Sequence, residues 1–179
     1  NCNLISVHSL EDSSIGRRDN SMAIDKDTHL VNTERLRLKK LTAKFWKEVE
    51  AVENLTDLLL ISVDDVSPYL EKIRNLSALE KLKLAQLELD ERISDLILPS
   101  CLTQLEISSV KCFNWAELPD APQVKEFVHK RMDLGDLCLI YRKLSGVESI
   151  KMSPDGDDEL SAVFDLLNEM ENVKEVELD

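Results

Sequence analysis

Glycine is scarce in this 179-residue chain, which has only Gly16, Gly135, Gly146 and Gly156. They are too far apart to build a glycine-rich phosphate loop, so nucleotide binding has no seat. Cysteine is equally thin. Cys2, Cys101, Cys112 and Cys138 form none of the close pairs that mark a zinc site or a redox motif. A small secreted domain stapled by disulfides carries a denser framework, so a reducing, cytoplasmic setting is expected, with the nucleus as another option and secretion less favoured. The triplets Asn54-Leu55-Thr56 and Asn75-Leu76-Ser77 have the form of glycosylation acceptors, but such triplets arise by chance in a chain of this length. No stretch reaches the roughly 18 unbroken apolar residues of a spanning helix, and no apolar run with a cleavage site opens the chain. Positive charge is the last shortage. Against 35 acidic residues stand 22 basic ones, and the formal net charge of −13 repels phosphate backbones and anionic membranes.

Catalytic raw material is also sparse. The histidines are His8, His29 and His129. Nothing in the spacing of Cys101, Cys112 and His129 supports a nucleophile and its base, so no enzyme activity is expected. The acidic run Asp155 to Glu159 lacks the alternating order and the distal glutamate of a calcium loop, and a solvated helix entry explains it. No cofactor and no metal are expected. What the chain does have is apolar content: 43% hydrophobic residues suffice for a sizeable core. Its first residue is Asn1, and its last stretch, VKEVELD, reads as a strand with nothing after it to cover an edge, so a fragment of a longer protein is expected.

That apolar content is periodic. LTDLLLISV begins at Leu55, LEKLKLAQL at Leu79 and LTQLEISSV at Leu102, and the three share the register LxxLxLxxL. CNLISVHSL at Cys2, TERLRLKKL at Thr33, VKEFVHKRM at Val124, VESIKMSPD at Val147 and VKEVEL at Val173 extend it to eight copies. Their fourth positions are Ile5, Leu36, Leu58, Leu82, Leu105, Phe127, Ile150 and Val176; after a first gap of 31 residues the spacing stays between 22 and 26. Positions one, four and six are apolar in 22 of 24 cases, with Thr33 and His129 as exceptions, where composition alone predicts about ten. His129 is therefore expected to be a buried, hydrogen-bonded structural histidine.

Alternating apolar residues at positions four and six give a strand one buried face, which a second element must cover. Val66, Tyr69, Leu70, Ile73 and Leu76 have helical spacing, with Ser67 and Pro68 suited to a helix start. Phe45, Val49 and Val52 repeat that spacing, as do Leu160, Val163, Phe164 and Leu167 behind the acidic Asp157, Asp158 and Glu159. Only Asn114 to Pro122 is expected to form an irregular turn. Trp46 and Trp115 fall in these connecting segments, where packing is their default role.

On these motifs the chain resembles the leucine-rich-repeat family over about residues 2 to 179. The resemblance implies an α/β solenoid, 1–179, of about eight repeats: a curved parallel sheet on the concave side, with helices and irregular returns on the convex side. The polar stretch at 11–32 is expected to be an insertion or an atypical terminal repeat. Position nine departs from the family pattern. Where members commonly place Asn or Cys, this chain has Leu41, Val63, Leu87, Val110 and Met132. Irregular arrays of this kind are similar to the repeat arms of F-box substrate receptors and NOD-like receptors, although no F-box or nucleotide-binding segment is present.

The implied concave face carries positions two, three, five, seven and eight. Over the six inner strands these hold ten basic residues: Arg35, Arg37, Lys39, Lys40, Lys81, Lys83, Lys125, Lys130, Arg131 and Lys151. The six acids are Glu34, Asp57, Glu80, Glu106, Glu126 and Glu148, so a basic face sits on an acidic molecule. Leu59, Ile61 and Val128 interrupt it as exposed aliphatic residues ringed by charge, the composition of an interface core. The competing reading is a solvated strand surface with cross-strand ion pairs, Arg35 facing Asp57 and Asp57 facing Lys81. The expected function is a protein-interaction module within an adaptor, substrate receptor or sensor, binding a protein partner with an acidic segment. The expected contacts are Arg35, Arg37, Lys39, Leu59, Ile61, Lys81, Lys83, Val128, Lys130 and Lys151. Self-assembly through the terminal strand is the alternative. RNA binding is disfavoured because no Phe, Tyr or Trp stands in the basic columns.

Overall fold

In a computed structural model, alternation of apolar and polar residues becomes a sheet with one buried side. The structure describes residues 4–7, 34–38, 43–63, 66–89, 91–112, 114–153, 161, 163–165, 167–168 and 170–178. Lys39, Lys40, Leu41, Leu160, the 11–32 segment and the acidic run at 155–159 lie outside them, as do Cys2, His8 and His29. The strands are β1 Leu4–Val7, β2 Arg35–Leu38, β3 Asp57–Ile61, β4 Lys81–Ala85, β5 Glu88–Leu89, β6 Gln104–Ser108, β7 Lys111–Cys112, β8 Glu126–Lys130, β9 Ser149–Ser153 and β10 Glu175–Leu178. Eight of them form one open, wholly parallel sheet in chain order, β1-β2-β3-β4-β6-β8-β9-β10. The short β5 and β7 pair separately, also in parallel, a second sheet the sequence pattern does not foreshadow.

The register of the strands is that of the sequence. Ile5 pairs with Leu36, Leu36 with Leu58, Leu58 with Leu82, Leu82 with Leu105, Leu105 with Phe127, Phe127 with Ile150, and Ile150 with Val176. A slip by one residue would turn each buried leucine to the other face, so burial enforces this register. Leu36, Leu58, Leu82, Leu105, Phe127 and Ile150 are at most 2% exposed.

Backbone hydrogen bonds lock both ends of the strands. The carbonyls of Glu34, Thr56, Glu80, Thr103, Lys125 and Glu148, all at position two, each accept from two successive amides at the start of the next strand, at 2.8–3.2 Å. At position eight, Ser62, Gln86, Ser109 and Arg131 take left-handed conformations, with φ between 50° and 54°, although none is glycine. The amides of Ser62, Gln86 and Ser109 donate to the position-seven carbonyls of Ala85, Ser108 and Lys130. That turn tips position nine inward, and Val63, Leu87, Val110 and Met132 are all buried. The apolar ninth positions thus belong to the core.

The connections cover one face. Helix α1, Ala43–Glu50, buries Trp46 and Val49. Helix α2, Ser67–Ile73, has its proline in the first turn and buries Tyr69, Leu70 and Ile73. Helix α3, Leu134–Lys143, is capped by Asp133, whose side chain accepts from the Gly135 amide at 2.7 Å, and buries Leu137, Ile140 and Tyr141. Asn114–Pro122 is irregular as expected, with a 3₁₀ turn over Trp115–Glu117. It is not alone: the connection before β6 holds only a 3₁₀ turn, Glu91–Asp95, which corrects the expectation of one irregular segment. The β5–β7 pairing holds the chain extended at Glu88–Leu89 and Lys111–Cys112 on either side of that connection and β6. Helical residues at 161, 163–165 and 167 bury Val163 and Leu167, but Phe164 is 42% exposed and does not join the apolar face assigned to it. One step round a helix turns it by about 100°, which takes Phe164 out of the core while its neighbour Val163 stays in.

Candidate functional site

The face that carries positions three, five and seven is not covered by the helices. Position five forms one row across the sheet: Arg37, Leu59, Lys83, Glu106, Val128, Lys151 and Glu177 stand side by side. Arg35, Asp57, Lys81, Gln104 and Glu126 form the neighbouring row at position three. Four of the expected contacts, Arg35, Leu59, Lys81 and Lys83, meet at one place. With Asp57 and Glu106 they line a shallow depression of about 340 Å³ over β2, β3, β4 and β6. Leu59 is half-buried at its centre, and Arg37 borders Leu59 from β2.

Charge on this face changes along the sheet. Over β2 to β4 positions three and five offer Arg35, Arg37, Lys81 and Lys83 against Asp57 alone. Over β6 to β10 the same positions hold Glu106, Glu126, Glu175 and Glu177 against Lys151. Most cations are paired across strands. The Arg35 guanidinium lies 3.7 Å from Asp57, Lys83 pairs with Glu106, and Lys151 reaches both Glu177 at 3.2 Å and Glu126 at 3.5 Å. The Glu177 and Glu126 carboxylates hold the Lys151 ammonium above its usual range. At the strand entrances Lys174 and Lys125 both reach Glu148, and their hydrogen bonds keep its carboxyl below the ordinary range. Exposed pairs of this kind contribute little to stability but neutralise the charge they share.

Two cations on β2 and β4 stand apart from this pattern. Neither Arg37 nor Lys81 forms an ion pair among the described residues. The Lys81 side chain is exposed. The Arg37 Nε is enclosed and has no hydrogen-bond partner. A buried donor left without an acceptor costs about 1–3 kcal/mol, so the strand carries an arginine for which its own fold offers no full satisfaction.

The remaining expected contacts do not converge there. Val128 is only 7% exposed and is not the exposed outlier that alternation suggests. Lys151 on the next strand reaches back to Glu126 of Val128's own strand, and this lays an aliphatic stem beside the valine. Lys130 and Lys151 are half-buried and lie on the far side of β6 from the depression. Ile61 is half-buried beside Ala85 at the other end of β3, and Lys39 lies outside the described residues.

A second concavity, about 710 Å³, runs along the strand entrances and is lined by Glu34, Thr56, Glu80, Thr103, Ser77 and Cys101. Cys101 Sγ lies 3.0 Å and 3.2 Å from the carbonyl oxygens of Ser77 and Leu79, which directs its weak donor into backbone. Among the described residues no group of His, Cys, Asp and Glu could hold a metal ion. No described helix is long and apolar enough to cross a membrane. His129 is buried as expected, at 3% exposure, but its Nε2 has no partner, contrary to the hydrogen-bonded state expected of it. The ring is enclosed by apolar surroundings: Phe127 at 5.5 Å between centroids and Tyr141 edge-on at 6.0 Å. The sequence gives no sign of that environment, because Tyr141 arrives from α3. No protein-family model matches this chain, and no curated protein matches it either.

Proposed function

We propose that the chain is a divergent leucine-rich-repeat solenoid that serves as a protein-interaction module, receiving a protein partner on its open sheet face, the concave side of such an array. The strand register supports this reading, since every copy of the LxxLxLxxL pattern coincides with a strand of one parallel sheet in chain order. The observation that carries the function is the depression over β2–β4: a half-buried Leu59 ringed by Arg35, Lys81 and Lys83 on a molecule whose net charge is −13. An apolar centre inside a polar rim is the anatomy of an interface. A local positive field on an acidic protein selects partners by charge and speeds their encounter. Nucleic acid fits less well, because no aromatic side chain stands in rows three or five to stack a base.

The test is a pull-down from cell extract with the wild-type chain beside a Leu59→Asp, Ile61→Asp, Lys83→Glu variant whose fold is verified by circular dichroism. Proteins retained by the first and lost by the second support the open face as the binding surface. The same proteins retained by both would remove it. A second reading, self-association through the outer strand β10, is favoured by Leu178, which is 46% exposed. Sedimentation of wild type against Leu178→Lys separates it from the first, since only self-association responds to that change.

A further inference from the structure

Taking the open-face reading as its basis, we infer that the occupant of the depression is an extended acidic peptide segment of the form acid–x–aliphatic–x–acid. It lies diagonally across β2, β3 and β4 with its aliphatic side chain on Leu59 and its two carboxylates on Arg37 and Lys81. Of the four cations at positions three and five of β2 and β4, these two form no ion pair among the described residues, while Arg35 and Lys83 are already held by Asp57 and Glu106. They stand on the two strands beside β3: Arg37 is the direct partner of Leu59 on β2, and Lys81, on β4, faces Asp57, so the middle of the diagonal falls between Leu59 and Asp57.

The spacing selects the motif. Strands about 4.8 Å apart and about 3.3 Å per residue along each place Arg37 and Lys81 about 12 Å apart on the diagonal. In an extended segment, side chains at i, i+2 and i+4 share one side and the outer two are about 13 Å apart. One apolar contact between two carboxylates therefore matches the length of the diagonal. Two adjacent acids, or acids at i and i+2, do not. A carboxylate beside Leu59 also gives the orphaned Arg37 Nε an acceptor once the guanidinium turns outward, in a charge-assisted hydrogen bond. Asp57, paired with Arg35 beside the path, disfavours a third carboxylate directly over β3.

The experiment measures fluorescence anisotropy of labelled decapeptides binding to the full chain at low and moderate salt. The probes are Glu-Ser-Leu-Ser-Glu in a glycine-serine frame, the same frame with leucine replaced by serine, a version with the glutamates adjacent, and an oligouridylate RNA of equal charge. The expected result is salt-sensitive binding of the first, weaker by about tenfold or more for each altered peptide, for the RNA, and for the Arg37→Gln and Lys81→Gln variants. Because the altered peptides leave the protein untouched, a variant that fails to fold does not blunt the test. Equal binding of the adjacent-glutamate peptide, stronger binding of RNA, or no binding at all overturns the inference. If the peptides fail while the pull-down still loses proteins on mutation of Leu59, Ile61 and Lys83, only the acidic motif is wrong; if both fail, the open-face reading falls with it.

Discussion

Lowering the pH from 7 to 5 should destabilise the protein through one residue, His129. It occupies position six of β8, where the adjoining strands place Ile107 and Met152, and the same column continues with Leu84, Leu60 and Leu38. Burial lowers its pKa from 6.5 to about 4, since the charged form loses its hydration and finds no acceptor at Nε2. The sign follows from which state binds the proton. Above pH 6.5 both states are neutral and the residue contributes its full share of stability. Between 6.5 and about 4 the unfolded chain is protonated while the folded one is not, so stability falls with pH by about 1.4 kcal/mol per unit. From pH 7 to pH 5 the loss is about 2 kcal/mol. Urea denaturation at both pH values, followed by circular dichroism, should show that loss in wild type and most of it abolished in His129→Leu. Asp136, whose carboxyl is raised by burial and then by Asp133, and Glu148, lowered by Lys174 and Lys125, are present in both proteins and cancel in the comparison. Parallel losses in wild type and variant would refute the assignment.

Three further outcomes follow from packing and hydrogen bonding. A Cβ on Gly146 would fall 1.8 Å from the Pro122 carbonyl oxygen, an obstacle of rigid backbone, so Gly146→Ala should cost about 2 kcal/mol or more in a denaturation midpoint experiment. Leu84→Ala removes a side chain with 0% exposure and should cost about 2–5 kcal/mol, whereas Ile97→Ala, at a site 39% exposed in a connection, should cost well under half as much; similar losses would mean that the core is not bounded as described. Arg37→Met replaces an enclosed, unpartnered donor with an apolar stem of similar length and should raise stability by about 1 kcal/mol while weakening capture of the acidic peptide. A variant that is less stable than wild type would show that the guanidinium is satisfied in solution.

The sheet was legible because its signal is repeated. Any single LxxLxL could be a short helix or strand, but copies separated by 22 to 26 residues average out local ambiguity, and each marks the centre of a strand. The helix over Val66, Tyr69, Leu70 and Ile73 was legible for the same reason, through its period and its proline. The turns were not. Left-handed conformations occur at Ser62, Gln86, Ser109 and Arg131 with no glycine to announce them, and at the first three they accompany hydrogen bonds to the neighbouring strand. The β5–β7 pair escaped because two-residue strands carry no period. Val128 was misplaced because alternation reports which way a side chain leaves the strand, and not whether a neighbouring lysine stem lies beside it. Within the candidate site the residue types were readable and the pairing only in part: the expected Arg35–Asp57 pair forms, and an Asp57–Lys81 pair does not. Register alone puts Arg35 beside Asp57, and only three-dimensional geometry separates the paired Lys83 from the unpaired Lys81.

That separation bears on how such a surface could change partners without endangering the fold. Strand entry and exit are fixed by backbone amides and carbonyls at positions two and eight, and the core by positions four, six and nine. Positions three and five are left with few structural duties, and exposed pairs there contribute about 0–1 kcal/mol each. Substitution at the exposed positions of this face therefore costs little stability. Charge on β2–β4 and on β6–β10 is joined by one described ion pair on the face, Lys83 of β4 with Glu106 of β6, while the Arg35–Asp57 pair and the Lys151 pairs stay within their own halves. Arg37 is the exception, since its enclosed Nε has no hydrogen-bond partner among the described residues. On the proposed reading a bound carboxylate offsets the cost of that donor, and Arg37→Met tests it by separating stability from capture of the acidic peptide.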